Sequence, residues 1–242
     1  MTRKRLAELA GSVGLGAWTA FGVLAMIVAG AQGSAGFVDD GPLSWSLGHR
    51  PEVAVALARG ITATGTGVVP YTLVLLAALL AGRTRAQRLV AVLFGVACLA
   101  VGQAVRYGVM TLIARPRPPE SDWRTHASGW AYPSGHTTTS AITAGLVILA
   151  ICLRAPRGKA GLCWAVGCWG ALVGLTRVYL GVHWFTDVIG GWLFAVGWLG
   201  AWLCAAAWWM PSRFVPSATG TPDPDAPVEG SASREPGRSR PG

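Results

Sequence analysis

The sequence predicts an all-α fold: an integral membrane bundle of six transmembrane helices with a disordered C-terminal tail. Three observations carry that prediction. Of the 242 residues, 52% are hydrophobic and 13% charged, whereas a soluble domain carries about 25% charged residues. Mean hydropathy is +0.46. Six apolar stretches approach the roughly 20 residues that a bilayer crossing needs, and the basic clusters between them alternate as a membrane topology requires. The expected organisation is a cytoplasmic N-terminus over 1–11, one membrane domain over 12–210 and a tail over 211–242.

The first span is expected over 12–32, behind Arg3, Lys4 and Arg5. Its apolar run exceeds the roughly 7–15 residues of a signal core, so it reads as an uncleaved span. The segment 51–65 is less apolar and reads as a short interfacial helix. The remaining spans are expected over 65–81, 89–114, 136–153, 161–180 and 185–210. In this arrangement the N-terminal cluster shares one side with Arg83, Arg85 and Arg88 and with Arg154, Arg157 and Lys159. The positive-inside rule makes that side the cytoplasm. The other side receives 33–50, 115–133 and the turn at Gly181, with Asp39, Asp40, Glu120 and Asp122. The tail mixes Pro, Gly, Ser and both charge signs and has little to bury, so it reads as disordered and cytoplasmic.

A net charge of +9 raises nucleic-acid binding, but the basic residues lie between apolar spans and form no stripe. Membrane orientation and anionic headgroups explain them, and no nucleic-acid partner is expected. The arginine-heavy composition, with Lys4 and Lys159 the only lysines, suits a bacterial inner membrane from a GC-rich genome. Cys98, Cys152, Cys163, Cys168 and Cys204 all fall in apolar stretches without C-x-x-C. They read as small buried residues, with no disulfide or zinc framework. Trp123, Trp130 and Trp184 read as interface anchors, and His49 and His126 as solvent-facing.

Ionisable groups at membrane depth are costly and mark function. Three groups remain once the cytoplasmic clusters and tail are set aside: Arg106 with Arg115-Pro116-Arg117-Pro118, then Pro133-Ser134-Gly135-His136, then Thr176 to Asp187. The six-span topology brings all three to the outer face. His183 and Asp187 are one helical turn apart, so the carboxylate can accept the Nδ1 proton and leave Nε2 as a nucleophile. Asp187 is the only acidic residue between 123 and 222. Ser134 can cap a helix start, and Gly135 lets an anion approach free N–H groups there. His136 is placed to donate a proton to a leaving oxygen. Arg117 and Arg177 supply planar forks for phosphate oxygens. Two histidines, the arginines and an amide nest suit phosphoryl transfer through a phosphohistidine. No carboxylate cluster for magnesium or His/Cys set with zinc spacing is present, so no metal and no cofactor is expected.

At these residues the sequence resembles the type 2 phosphatidic acid phosphatase superfamily, whose motifs are K-x6-R-P, P-S-G-H and S-R-x5-H-x3-D. The second is intact at Pro133–His136. The third matches Thr176–Asp187, with Thr176 in place of serine. The first matches at Arg117-Pro118, but the lysine position is Met110. The resemblance covers 60–205 and implies His183 as nucleophile, Asp187 as its orienting partner and His136 as general acid. It implies phosphate contacts from Arg117, Ser134, Gly135 and Arg177. Arg106, one turn before Met110, or Arg115 from the loop is the candidate replacement for the lysine. The implied activity is metal-independent hydrolysis of an amphiphilic lipid phosphate or diphosphate, such as a polyprenyl diphosphate, phosphatidic acid or phosphatidylglycerol phosphate, on the outer leaflet. A lipid-linked phosphotransferase is the alternative. An anion transporter is less consistent with polar groups gathered at one face. A soluble vanadate-dependent haloperoxidase shares the motifs but not the six spans.

Overall fold

The computed structural model describes residues 3–31, 33–154 and 158–209. The expected tail over 211–242 lies outside the described residues. Eight α-helices and a single 3-10 turn, Glu120–Asp122, make up the described fold, with no strand among them. The helices are α1 (Arg3–Ala31), α2 (Phe37–Gly48), α3 (Glu52–Ala63), α4 (Val68–Ala81), α5 (Arg85–Ile113), α6 (Gly135–Arg154), α7 (Lys159–Tyr179) and α8 (Phe185–Trp209). Five of them are long and apolar enough to cross a membrane: α1, α5, α6, α7 and α8. Among the described residues a sixth crossing is offered by no single straight helix. Here α4 has only 14 residues, about 21 Å at 1.5 Å per residue, short of the hydrocarbon core. It qualifies only together with α3, and the two meet at a 52° bend. The expected interfacial helix over 51–65 is α3, which forms with α4 a bent pair, a broken span or a re-entrant loop, interrupted at Thr64-Gly65-Thr66-Gly67.

Two further differences follow from local chemistry. The first helix begins at Arg3, and its apolar part, Ala7–Ala31, opens five residues before the expected span over 12–32. The outer segment 33–50, expected as loop, contains α2, entered through Gly36 at φ 70°. The long α5 opens with a capping box: Gln87 N–H donates to Thr84 Oγ1 at 3.1 Å, and the Gln87 side chain accepts from the Thr84 N–H. Two such reciprocal bonds satisfy N–H groups that a helix start otherwise leaves open. All five cysteines are free, but only Cys98 is buried; Cys152 and Cys168 are exposed on the apolar exterior. An exterior that faces lipid needs no burial of apolar residues, so the expectation of buried thiols fails for the others.

Small residues set the packing, as bilayer helices require. A Cβ at Gly14 of α1 would lie 3.1 Å from the Gly200 Cα of α8. A Cβ at Gly174 of α7 would lie 2.9 Å from Val188 and 3.0 Å from Thr137, and one at Gly191 of α8 would lie 2.9 Å from Thr137. These close approaches press α7 and α8 against the first turn of α6. Phe21 stacks on Tyr132 at 5.6 Å and meets Phe194 edge-on at 5.6 Å. That buried aromatic cluster pins the segment leading into α6. The C-terminal end of α5, the start of α6, the end of α7 and the start of α8 therefore meet at one end of the bundle.

Candidate active site

The turn between α7 and α8 aims the third motif. Gly181 sits at φ 76°, a left-handed conformation that glycine adopts without Cβ strain. Its N–H donates to Val178 O at 2.9 Å, and Val182 N–H donates to Arg177 O at 3.1 Å. The chain thereby reverses over the end of α7 and delivers His183, 2% exposed, to the start of α8.

His183 Nδ1 lies 3.2 Å from Asp187 Oδ2. Its Nε2 lies 2.9 Å from Arg117 Nη1, and a guanidinium can only donate. Nε2 is therefore the unprotonated acceptor, and Nδ1 carries the proton given to Asp187. This is the tautomer a nucleophilic imidazole needs. Burial, then Arg117, Arg177 and His136, hold the His183 ring well below the usual imidazole range, against an opposing contact with the Ala131 backbone. At neutral pH the ring is the free base.

Arg117 is fixed by the loop around it. Its guanidinium donates to Gly129 O at 2.9 Å, Ser128 O at 2.8 Å, Trp130 O at 3.1 Å and Val182 O at 2.7 Å. The Arg-Pro-Arg-Pro run, which by itself reads as exposed, is braced by two tryptophans expected as interface anchors. Trp184 Nε1 donates to Pro116 O at 2.9 Å and Trp123 Nε1 to Pro118 O at 3.0 Å. Trp130 is 44% exposed. Both His49 and His126 are exposed.

The helix start at Gly135 follows a cis Tyr132–Pro133 bond. Ser134 is fully buried. Its N–H donates to Asp187 O at 3.1 Å, and its hydroxyl accepts from Thr137 Oγ1 at 3.0 Å. Ser134 thus ties α6 to α8, leaving the first-turn N–H groups of α6 as the anion nest. Arg106 comes near both Gly135 and Met110. Its guanidinium lies over that nest, with Nη1 3.3 Å from where a Gly135 Cβ would be, and Nη1 also reaches Met110 Sδ at 3.3 Å. Arg115, the other candidate replacement, points elsewhere. It is 1% exposed and donates to Asp187 Oδ1 at 2.5 Å and to Asp39 Oδ2 at 2.6 Å.

His136 Nε2 lies 3.3 Å from Thr66 Oγ1, at the break between α3 and α4. Arg177, 2% exposed, donates from Nη1 to Thr62 Oγ1 at 3.1 Å, and its Nε has no partner among the described residues. Both arginines and both histidines act on one another electrostatically. Thr176 turns away, its hydroxyl donating to Val173 O at 2.6 Å on its own helix. The structure thus gathers His183, His136, Arg117, Arg177, Arg106 and Gly135, with Asp187 behind His183. Among the described residues no three His, Cys, Asp or Glu side chains converge to hold a metal.

Sequence reasoning missed Asp39, Thr186, Thr62 and Thr66. Asp39 was legible only as an acidic residue on the outer side. The threonines carry no charge, and nothing in a single chain announces a partner 70 to 147 positions away.

The PAP2 superfamily model matches residues 89–213. Undecaprenyl-diphosphatase BcrC of Bacillus subtilis is 30% identical over 139 residues, covering 55% of this chain and 66% of that protein. An undecaprenyl-diphosphatase of Sulfolobus acidocaldarius is 33% identical over 141 residues, covering 56% of this chain and 59% of that protein. The chain thus matches less than two thirds of the length of either relative. Among solved structures, a PAP2-type phosphatidylglycerolphosphate phosphatase from Bacillus subtilis superposes with a TM-score of 0.66 at 21% identity, over 80% of this chain and 94% of that one. Aquifex aeolicus LpxE superposes with a TM-score of 0.55 at 18% identity, over 68% and 94%. The fold is shared with both.

Proposed function

The chain belongs to the PAP2 superfamily, and from that premise we propose that it is a membrane lipid phosphatase that works through a phosphohistidine at His183. The observation that carries this is the state of one ring. Its Nδ1 is bonded to Asp187, and its Nε2 is a free base 2.9 Å from Arg117. An incoming phosphate displaces the Arg117 Nη1 from Nε2 and takes its N–H bonds for itself, so binding the substrate unmasks the nucleophile.

The chemistry then needs only these side chains. Nε2 attacks phosphorus, the bond from phosphorus to the leaving oxygen breaks, and His136 gives that oxygen a proton. Arg117, Arg177, Arg106 and the first-turn N–H groups of α6 hold the non-bridging oxygens as their charge rises. Asp187 stabilises the cationic phosphoimidazole. Water, deprotonated by His136, attacks the same phosphorus and the nitrogen–phosphorus bond breaks, releasing inorganic phosphate. Arg117, Arg177, Arg106 and the α6 N–H groups supply the kind of charge stabilisation a metal would otherwise give, and the proposed reaction calls on none. The substrate we favour is a polyprenyl diphosphate, a choice supported by the names of the two curated relatives. The site opens on the extracytoplasmic face of a bacterial inner membrane, with both termini in the cytoplasm.

The deciding experiment is phosphate release by purified protein in detergent, with EDTA, from polyprenyl diphosphate, phosphatidic acid and phosphatidylglycerol phosphate. Unchanged turnover in EDTA is expected; loss restored by a divalent cation rejects metal independence. Labelled phosphate recovered on a lipid acceptor rather than in water would favour phosphotransfer instead.

Arg106 yields a second prediction. Arg106→Ala removes a charged hydrogen-bond donor, a loss of about 1.5–3 kcal/mol, so KM should rise about 10- to 100-fold. Adding Met110→Lys in the same chain should recover much of it by returning a cation to the family position. Unchanged KM in the single variant rejects the assignment.

A further inference from the structure

Behind the nucleophile, Asp187 begins a buried chain of alternating charge whose further members, Arg115 and Asp39, the proposed chemistry does not use. Asp187 Oδ2 accepts from Trp184 N–H at 2.9 Å as well as from His183, and its Oδ1 accepts from Arg115. Arg115 also donates from Nη1 to Thr186 Oγ1 at 2.8 Å, from Nε to Gly33 O at 2.8 Å, and from Nη2 to Gly33 O at 2.6 Å. Its remaining partner is Asp39, 0% exposed. Asp39 in turn accepts from Thr186 N–H at 2.8 Å, Thr186 Oγ1 at 2.9 Å and Ala35 N–H at 2.7 Å.

We propose that Asp39 is a positioning residue for the histidine nucleophile, acting through Arg115 and Thr186 to hold the Asp187 carboxylate against His183. The inference rests on the reading of His183 as nucleophile. Two physical effects carry it. The first is charge. Arg115 alone beside Asp187 would draw that carboxylate's field onto itself, and in a buried site little solvent screens the competition. Asp39 supplies the second anion, so the three groups sum to one negative charge, and Asp187 keeps the charge needed to stabilise a cationic phosphoimidazole. Removing one partner of such a set leaves an uncompensated buried charge. The second effect is geometry. Thr186 lies in the first turn of α8, beside Asp187. Asp39 accepts its N–H from a different element, so α2 anchors the helix start that carries the catalytic carboxylate.

Asp39 touches none of the groups that face the phosphate. Its loss should therefore slow the formation of the phosphoenzyme without weakening phosphate binding. The test compares wild type, Asp39→Asn, Asp39→Glu and His183→Ala by steady-state hydrolysis of polyprenyl diphosphate in detergent. Competitive inhibition by inorganic phosphate and thermal unfolding are measured on each. Asp39→Asn should lower kcat about 10- to 100-fold, the usual cost of losing an outer partner of an oriented imidazole. KM and the phosphate inhibition constant should stay within about twofold of wild type. Asp39→Glu, which keeps the charge, should retain more kcat than Asp39→Asn. Wild-type kcat in Asp39→Asn beside an inactive His183→Ala overturns the role of Asp39 alone. So does a parallel loss of kcat, KM and phosphate inhibition, which marks general loosening, or an equal loss of kcat in the Glu and Asn variants. Activity in His183→Ala overturns the nucleophile reading beneath it.

Discussion

His183→Ala is expected to lower kcat by about 10⁴-fold or more, the scale seen when a covalent nucleophile is deleted. The size follows from what the ring does. It presents an unprotonated nitrogen to Arg117 at 2.9 Å, with its Nδ1 held by Asp187. Water would have to attack directly, keeping the stabilisation from Arg117, Arg177 and Arg106 but losing the split into two easier steps. Phosphate binding should survive, because the donors that hold it are separate from the ring. The sharper measurement is chemical trapping. Acid-free denaturation of wild type during turnover with labelled substrate should yield protein-bound phosphate that is stable to base and labile to acid, as a nitrogen–phosphorus bond is. His183→Ala should carry none. Label retained by that variant, or turnover within tenfold of wild type, would remove the mechanism.

His136→Ala is expected to lower kcat by about 10²- to 10⁴-fold, the range for a positioned general acid or base. The loss should depend on the leaving group. His136 opens α6, with its Nε2 3.3 Å from Thr66 Oγ1. An alcohol leaving from a monoester needs a proton far more than a phosphate leaving from a diphosphate. The variant should therefore lose more activity on phosphatidic acid than on a polyprenyl diphosphate. Equal losses on both would show that His136 acts in another way, for instance only on the water of the second step.

The site was largely legible in the chain because its chemistry is local. His183 and Asp187 face each other through helical spacing alone, and Pro-Ser-Gly-His announces a helix start with an open anion nest. Both can be written down without any long-range contact. Arg106 was legible as one of two candidates for the missing lysine, but choosing between it and Arg115 was not. Those two differ by nine positions and not in chemistry. Only packing puts one guanidinium over Gly135 and the other under Asp187.

The sequence by itself determined the class and the membrane setting, since apolar content, span length and the sign of the flanking charges are sums over neighbouring residues. It also offered the candidates for nucleophile, orienting acid and general acid, His183, Asp187 and His136. The tertiary structure decided what depends on distant segments meeting. It made α3 and α4 a helix pair bent by 52°, whose break carries Thr66 to His136, and it turned the stretch 33–50, with no decipherable signature, into the helix that holds Asp39. The physical reason is that a buried ion pair is specified by the space into which both partners fold. No spacing rule relates Asp39 to Arg115, 76 positions later, until helix packing has brought α2, α5 and α8 to the same end of the bundle.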